Sequence, residues 1–274
     1  MKAWRVVAQT RNGLRLSERD GEYMVQTGGK VLMTSRRHGS EDALARVGLK
    51  GLSGEEPHVL VGGLGFGFTL RAALDRLPPK AVVTVVELSP EVVDWNRGEL
   101  APLAGRPLED ARVRVKIADV GEVLRRAEHA YDAVLLDVDN GPFGVSTATN
   151  ATLYSGGGVQ RCARALRIGG MLAVWSAGED GAYVQRLSKA GFEVATRPAS
   201  TQAGSRTHHV VISARRRPNR LPARREFAAA KETGLSVRPP RPTAPRTARN
   251  QGESTRRPPT SNGSAKARRR PPSE

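Results

Sequence analysis

The stretch His58-Val59-Leu60-Val61-Gly62-Gly63-Leu64-Gly65-Phe66-Gly67 decides the fold. Val59, Leu60 and Val61 are a short apolar run with β-branched side chains, as in a strand buried on both faces of a parallel sheet. Four glycines follow within six residues: Gly62, Gly63, Gly65 and Gly67. Leu70, Ala73, Leu74 and Leu77 then share one face of a helix. Strand, glycine turn and helix in that order make the entry to a nucleotide site. Glycines let the backbone approach a ligand closely, and a helix start offers free N–H groups. A tight turn with no ligand is the alternative. The dinucleotide fingerprint G-x-G-x-x-G is not met, because Gly63, Gly65 and Gly67 read G-x-G-x-G, and this counts against NAD.

Strands and helices alternate outward from this stretch. Val82 to Val86 is a second buried strand ending in Glu87, and Ser89-Pro90-Glu91 opens a helix with a cap, a first-turn proline and a carboxylate. Val113 to Ile117 is a third strand, ending in Ala118-Asp119, with a short helix over Val120 to Ala127. Ala133 to Leu136 is a fourth, ending in Asp137-Val138-Asp139-Asn140-Gly141-Pro142. A helix over Val159 to Leu166 stops at Gly169-Gly170. Met171 to Trp175 is a fifth strand, and Ala182 to Ala190 a helix closed by Gly191. Phe192 to Ala195 and His208 to Ile212 lie too close for a crossover helix and form an antiparallel hairpin. The pattern predicts an α/β fold, a doubly wound, mostly parallel sheet with helices on both faces. Right-handed crossovers bring the strand C-termini to one edge, where ligands bind.

Ahead of this body, Trp4 to Gln9 and Tyr23 to Met33 read as short strands, with hairpin turns at Asn12-Gly13, Asp20-Gly21 and Gly28-Gly29. Residues 1–35 are thus a small β element that must lean on the body. Ser40 is the expected N-cap of a helix through Ala43, Leu44 and Val47. The body spans 36–213. From Ala214 the chain is rich in Pro and Arg, with 10 of the 18 prolines, and 214–274 reads as a disordered tail.

Charge follows this division. The 274 residues carry a formal +17. The tail holds 17 of 44 Lys+Arg and 4 of 27 Asp+Glu, so +13 belongs to it and only +4 to the rest. A tail of this charge suits non-specific contact with nucleic acid; a solvated appendage is the alternative. The body lacks aromatic residues interleaved with basic ones, so stacking on bases is poorly supported. The single Cys162 excludes an internal disulfide and a zinc cluster of cysteines, and sits in an apolar helical pattern as core. His38, His208 and His209 have no matching motif partners and read as structural. No secretory signal is visible in residues 1–20, and no apolar run approaches the ~20 residues of a membrane helix. The expectation is a soluble, cytoplasmic protein with no membrane association.

Three successive strands end in an acid, Glu87, Asp119 and Asp137, on the edge of the glycine turn. An acid after the second strand can accept hydrogen bonds from ribose hydroxyls. One after the third can accept from an adenine amino group beside an apolar residue, here Val120. The fourth stands where a substrate nucleophile would be. Each acid could instead only cap the next helix.

Leu60-Val61-Gly62-Gly63-Leu64-Gly65-Phe66-Gly67, Val86-Glu87-Leu88-Ser89-Pro90-Glu91-Val92-Val93 and Asp137-Val138-Asp139-Asn140-Gly141-Pro142 together resemble the spermidine synthase family, from about Met24 to Ile212. The resemblance implies the fold of class I methyltransferases, a seven-stranded sheet whose last strand is antiparallel. It implies decarboxylated S-adenosylmethionine as co-substrate, a small-molecule amine acceptor, no metal, and often a homodimer. Gly62, Gly63, Gly65 and Gly67 would then cradle the donor, Glu87 hold its ribose, and Asp119 with Val120 its adenine. Asp137 would hold the attacking amine and act as general base, with Asp139 and Asn140 on the acceptor side. The sequence departs from the family at four places. Gly65 stands for an Asp that contacts the donor's amine, and Asn140 for the second acid of a pair. Gly39-Ser40-Glu41 lacks the family's tyrosine, and Arg197-Pro198-Ala199-Ser200 replaces a Tyr-Pro segment. Two other readings stay open: a methyltransferase using S-adenosylmethionine itself, and a non-catalytic nucleoside-binding body with a nucleic-acid-contacting tail.

Overall fold

The structure, a computed structural model, describes residues 2–36, 38–138, 141–142, 148–199 and 209–218, without the side chains of 148–150. The expectations for Asp139, Asn140 and His208, and for the tail from residue 219 on, concern residues outside these.

Four N-terminal strands form an antiparallel meander: β1 (Arg5–Gln9), β2 (Leu14–Arg19), β3 (Glu22–Thr27) and β4 (Lys30–Thr34). The hairpins turn at the expected glycine pairs, where Asp20, Gly21, Gly28 and Gly29 all take positive φ. The strand β2 was not expected. Its Leu-Arg-Leu-Ser-Glu-Arg alternates only weakly, yet Leu16 is fully buried and joins Val25 in one core cluster with Leu44 and Phe66 of the body. The small sheet therefore gains its stability from the body, as its size requires.

The body holds a seven-stranded sheet in the order β10-β11-β9-β8-β5-β6-β7. Its members are β5 (His58–Gly62), β6 (Val82–Glu87), β7 (Val113–Ile117), β8 (Tyr131–Leu136), β9 (Leu166–Ser176), β10 (Phe192–Pro198) and β11 (Val210–Arg216). Strands β9, β8, β5, β6 and β7 are parallel, and β11 runs antiparallel to both neighbours. Strand order reverses between β5 and β8, so the crevice at the ends of those two strands is the ligand position of this architecture.

Alternation along the strands sends side chains to two cores. Val59, Val61, Val83, Val85 and Leu135 pack beneath α1 (Gly39–Gly48), α2 (Phe68–Leu74) and α3 (Pro90–Arg97). Leu60, Val86, Val134 and Leu136 pack against α4 (Val120–Arg126), α6 (Gly156–Ala165) and α7 (Gly181–Lys189). Cys162 is fully buried in the second core, and burial pushes its thiol up to about 12, as suits a core residue.

Four local expectations are corrected. Ser40 is not the cap of α1: His38 takes that place without a side-chain bond, and the Ser40 hydroxyl donates to the Glu41 carboxylate at 2.6 Å. A further helix, α5 (Ala148–Tyr154), precedes α6. Leu166 opens β9 instead of closing a helix; its register with β8 then jumps from Tyr131↔Leu166 to Ala133↔Met171. Ala214, Arg215 and Arg216, expected in the tail, are strand residues opposite Val194, Glu193 and Phe192. Among the described residues no helix is long and apolar enough to cross a membrane.

Candidate active site

The glycine turn is fixed between the two strands flanking β5. The Gly63 N–H donates to the Val86 carbonyl at 2.9 Å, and the Asp137 N–H donates to the Gly62 carbonyl at 2.8 Å. Gly63 has φ +91°, and a Cβ there would lie 2.2 Å from the Asp137 carbonyl oxygen. Only glycine allows that approach. Buried Asn96 of α3 closes the far side, donating to the carbonyls of Gly65 and Val92 at 2.9 Å each. At Gly65 an added Cβ would meet only the Met33 sulfur, at 3.6 Å, so the end of β4 lies over this part of the turn.

The three acids stand where the strand ends predict, in different states. Glu87 accepts from the Leu64 N–H through one carboxylate oxygen and from the Ser89 N–H through the other, each at 2.9 Å. A carboxylate offers about four lone-pair directions, so about two stay open. Leu88, next to it, is an exposed apolar side chain, 67% accessible. Asp119 caps α4, its Oδ1 accepting the Glu122 N–H at 2.9 Å. The capping alternative thus holds for one oxygen of Asp119. Val120 is buried behind the turn, its Cγ2 2.9 Å from where a Gly62 Cβ would stand.

Asp137 is set differently. Its described hydrogen bond is from the Thr69 hydroxyl to Oδ2, at 2.5 Å. Burial is the main cause that pushes its carboxyl up, to about 7; the charge of Glu41 raises it further and the Thr69 hydroxyl lowers it. Burial also raises Glu41, against the Ser40 hydroxyl bond that lowers it. Two carboxyls near each other, both disfavoured as anions, are a site that favours a cation. Neither Glu41 nor Thr69 was picked from the sequence. Glu41 was visible only as the surviving member of the Gly39-Ser40-Glu41 motif, and Thr69 carried no signal. His38, read as structural, stacks on Phe68 with ring centroids 4.4 Å apart.

The edge therefore brings together Gly62, Gly63, Gly65, Gly67, Glu87, Asp119, Val120 and Asp137. Among the described residues no His, Cys, Asp and Glu side chains converge as three or more metal ligands. A surface groove along the outer strand β7 is lined by Lys116, Ile117, Glu122, Val123, Arg126 and Tyr131.

A model of the spermine/spermidine synthase domain matches residues 38–190, which hold α1, the glycine turn and all three acids. A polyamine aminopropyltransferase of Korarchaeum cryptofilum (strain OPF8) is 31% identical over 138 residues, 50% of this chain and 40% of that protein. Polyamine aminopropyltransferase 1 of Streptomyces coelicolor (strain ATCC BAA-471 / A3(2) / M145) is 38% identical over 106 residues, 38% of this chain and 19% of that one. The matches thus span well under two thirds of these relatives. Among solved structures, a spermidine synthase in complex with the transition state analogue AdoDATO superposes with TM-score 0.61 at 21% identity, covering 77% of this chain and 73% of that one. Spermidine synthase from Thermotoga maritima gives 0.58 at 21% identity, with 77% and 72% covered. These two likenesses speak for the fold. With the domain match extending over more than half of the sequence and containing every acid of the site, the chain belongs to the spermine/spermidine synthase family.

Proposed function

We propose that this protein transfers an aminopropyl group from decarboxylated S-adenosylmethionine to a small amine. The observation that carries the reading is Asp137, a carboxyl held near neutrality on the edge shared with the glycine turn and Glu87. The acceptor amine arrives protonated. Asp137 takes the proton, the freed nitrogen lone pair forms a bond to the donor's propyl carbon, and the carbon–sulfur bond breaks. Its electron pair stays on sulfur, so the sulfonium leaves as the neutral thioether methylthioadenosine. General bases work best with a pKa near the operating pH, which suits a carboxyl at about 7. Glu41 adds attraction for the cation, and the rest of the rate comes from alignment. Supply of purified protein with decarboxylated donor and putrescine should yield methylthioadenosine; no product with any of a panel of amines would overturn the reading.

Gly65 favours testing one alternative. With no acid at this position, contact with the donor's amine is lost, and S-adenosylmethionine itself becomes a candidate methyl donor. The same amine panel with that donor separates the two.

The pH dependence and donor binding carry further expected results. Because Asp137 must be ionised to accept a proton, turnover should rise through about pH 7 and level off above it. Glu41→Gln removes a like charge that raises Asp137, so the midpoint of the pH–rate curve should move to lower pH. An unmoved midpoint would uncouple the two groups. For donor binding, Glu87→Ala should weaken methylthioadenosine by roughly 10- to 200-fold for each ribose hydroxyl it holds, given about 1.5–3 kcal/mol per charged hydrogen bond. Glu87→Gln can still accept the Leu64 N–H and should fall between, which separates ribose contact from turn geometry. Equal affinity of wild type and Glu87→Ala by calorimetry would remove Glu87 from the site.

A further inference from the structure

The sheet face that carries Asp137 continues across β9 and β11. In β8, Ala133 and Leu135 face the core beneath α1, while Val134 and Leu136 face the opposite one. Alternation puts the next residue, Asp137, on the α1 side. In β9, Ala173 faces the same core, Trp175 packs against it, and Leu172 and Val174 face away. The parallel register pairs Leu135 with Ala173 and Leu136 with Val174, so one step on it sets Asp137 beside Trp175. Strands in a sheet lie about 4.8 Å apart, so the two positions are neighbours on one face. Strand β11 pairs Val211 with Trp175, and the His209 ring meets the indole edge-on at 4.9 Å. Helix α1, with Glu41 in its first turn, packs across β8, β9 and β11.

A second observation singles out the indole. Trp175 Nε1 is shielded from solvent and has no hydrogen-bond partner among the described residues. A buried indole N–H usually finds one, and the Trp175 ring itself is half-buried at the margin of the core.

We propose that Trp175 is the specificity-determining wall of the acceptor chamber. Its ring closes the space beside Asp137 on the β9 side and lies along the chain of a short aliphatic amine, whose ammonium it attracts through the π face. A longer polyamine is stopped by the same ring. This inference rests on the amine-acceptor reading above and adds which amines that site admits.

The test measures kcat/KM for putrescine, cadaverine and spermidine as acceptors, in wild type and in Trp175→Ala, Trp175→Leu and Trp175→Phe. Trp175→Leu keeps the position apolar if alanine leaves too large a cavity. The ratio of long to short acceptor should rise by roughly 10-fold or more in the alanine and leucine variants, the scale of a pocket changed by one or more methylenes. Trp175→Phe, which keeps a ring, should hold the ratio near wild type. Putrescine should also change the tryptophan emission of wild type and not that of Trp175→Phe. A uniform loss with unchanged ratios, or an emission change that survives in Trp175→Phe, overturns the role of Trp175 alone. No product from wild type with any amine overturns instead the transfer reading beneath it.

Discussion

Asp137→Asn should lower aminopropyl transfer by about 10²–10⁴-fold, the usual contribution of general base catalysis, while methylthioadenosine affinity stays near wild type. The substitution keeps size and hydrogen-bonding shape but removes charge and basicity. Donor affinity is spared because the ribose and adenine contacts are proposed for Glu87 and Asp119, not for Asp137. The rival view, that Asp137 only caps a turn, predicts a silent change, since Asn caps as well as Asp. Capping requires a carboxylate oxygen on a backbone N–H, as Asp119 has with Glu122; the described partner of Asp137 is instead the Thr69 hydroxyl. Near-normal turnover in a correctly folded Asp137→Asn would nevertheless decide for the rival.

The same variant has a signature in stability. Burial holds the folded-state pKa of Asp137 at about 7, above its ordinary 3.8, so folding favours the protonated form. That contribution is complete below pH 3.8 and is lost as pH rises through about 7. Asparagine resembles the protonated acid at every pH. Asp137→Asn should therefore melt close to wild type near pH 4 and above it near pH 8. A variant that is less stable at the higher pH would show that the carboxylate is held by favourable contacts in the fold, contrary to its raised pKa. A buried carboxyl that costs stability when charged is the kind of group a functional site retains.

How much of this was legible in the sequence depends on whether the signal is local. Strand β5, its glycine turn and the acids at the strand ends were readable because a buried parallel strand is a continuous apolar run and must end where the sheet ends. The start of β9 was not: Leu166-Arg167-Ile168 continues the apolar and basic pattern of the helix before it, and only pairing with Tyr131 makes it a strand. Helix α5 has no charge and little apolar periodicity in Ala-Thr-Asn-Ala-Thr-Leu-Tyr. Composition misplaced the tail for a related reason. Averaged over 214–274 the segment is basic and proline-rich, which hides three residues that complete a strand opposite Phe192 to Val194. Ser40 has the right side chain for a cap, but Glu41 competes for its hydroxyl. Glu41 and Thr69 act on Asp137 from two different helices, α1 and α2, and no spacing along the chain records that convergence.

Gly63→Ala should be the most damaging single change in the turn. At φ +91° an alanine is strained, and its Cβ would stand 2.2 Å from the Asp137 carbonyl oxygen, so one backbone must move. Neither is free to. The Gly63 N–H is committed to Val86, and the Asp137 N–H to Gly62. Backbone strain of about 1–3 kcal/mol and overpacking of about 1–3 kcal/mol add to about 2–6 kcal/mol. That is a large part of the ~5–15 kcal/mol that holds a typical domain together. Two other glycines calibrate the result. Gly21 has φ +80° with nothing within 4 Å of an added Cβ, so Gly21→Ala carries strain without collision. Gly65→Ala, at φ +52°, would meet only the Met33 sulfur at 3.6 Å and should also fold. Chemical denaturation of the three variants should rank Gly63→Ala well below the other two. Turnover should fall further than the folded fraction explains, because a carbonyl pushed aside carries the Asp137 carboxylate with it, and a displacement of about 1 Å can cost roughly 10²-fold. If Gly63→Ala unfolds at the same denaturant concentration as Gly21→Ala, the turn and the end of β8 are not in the close contact that couples donor site to base.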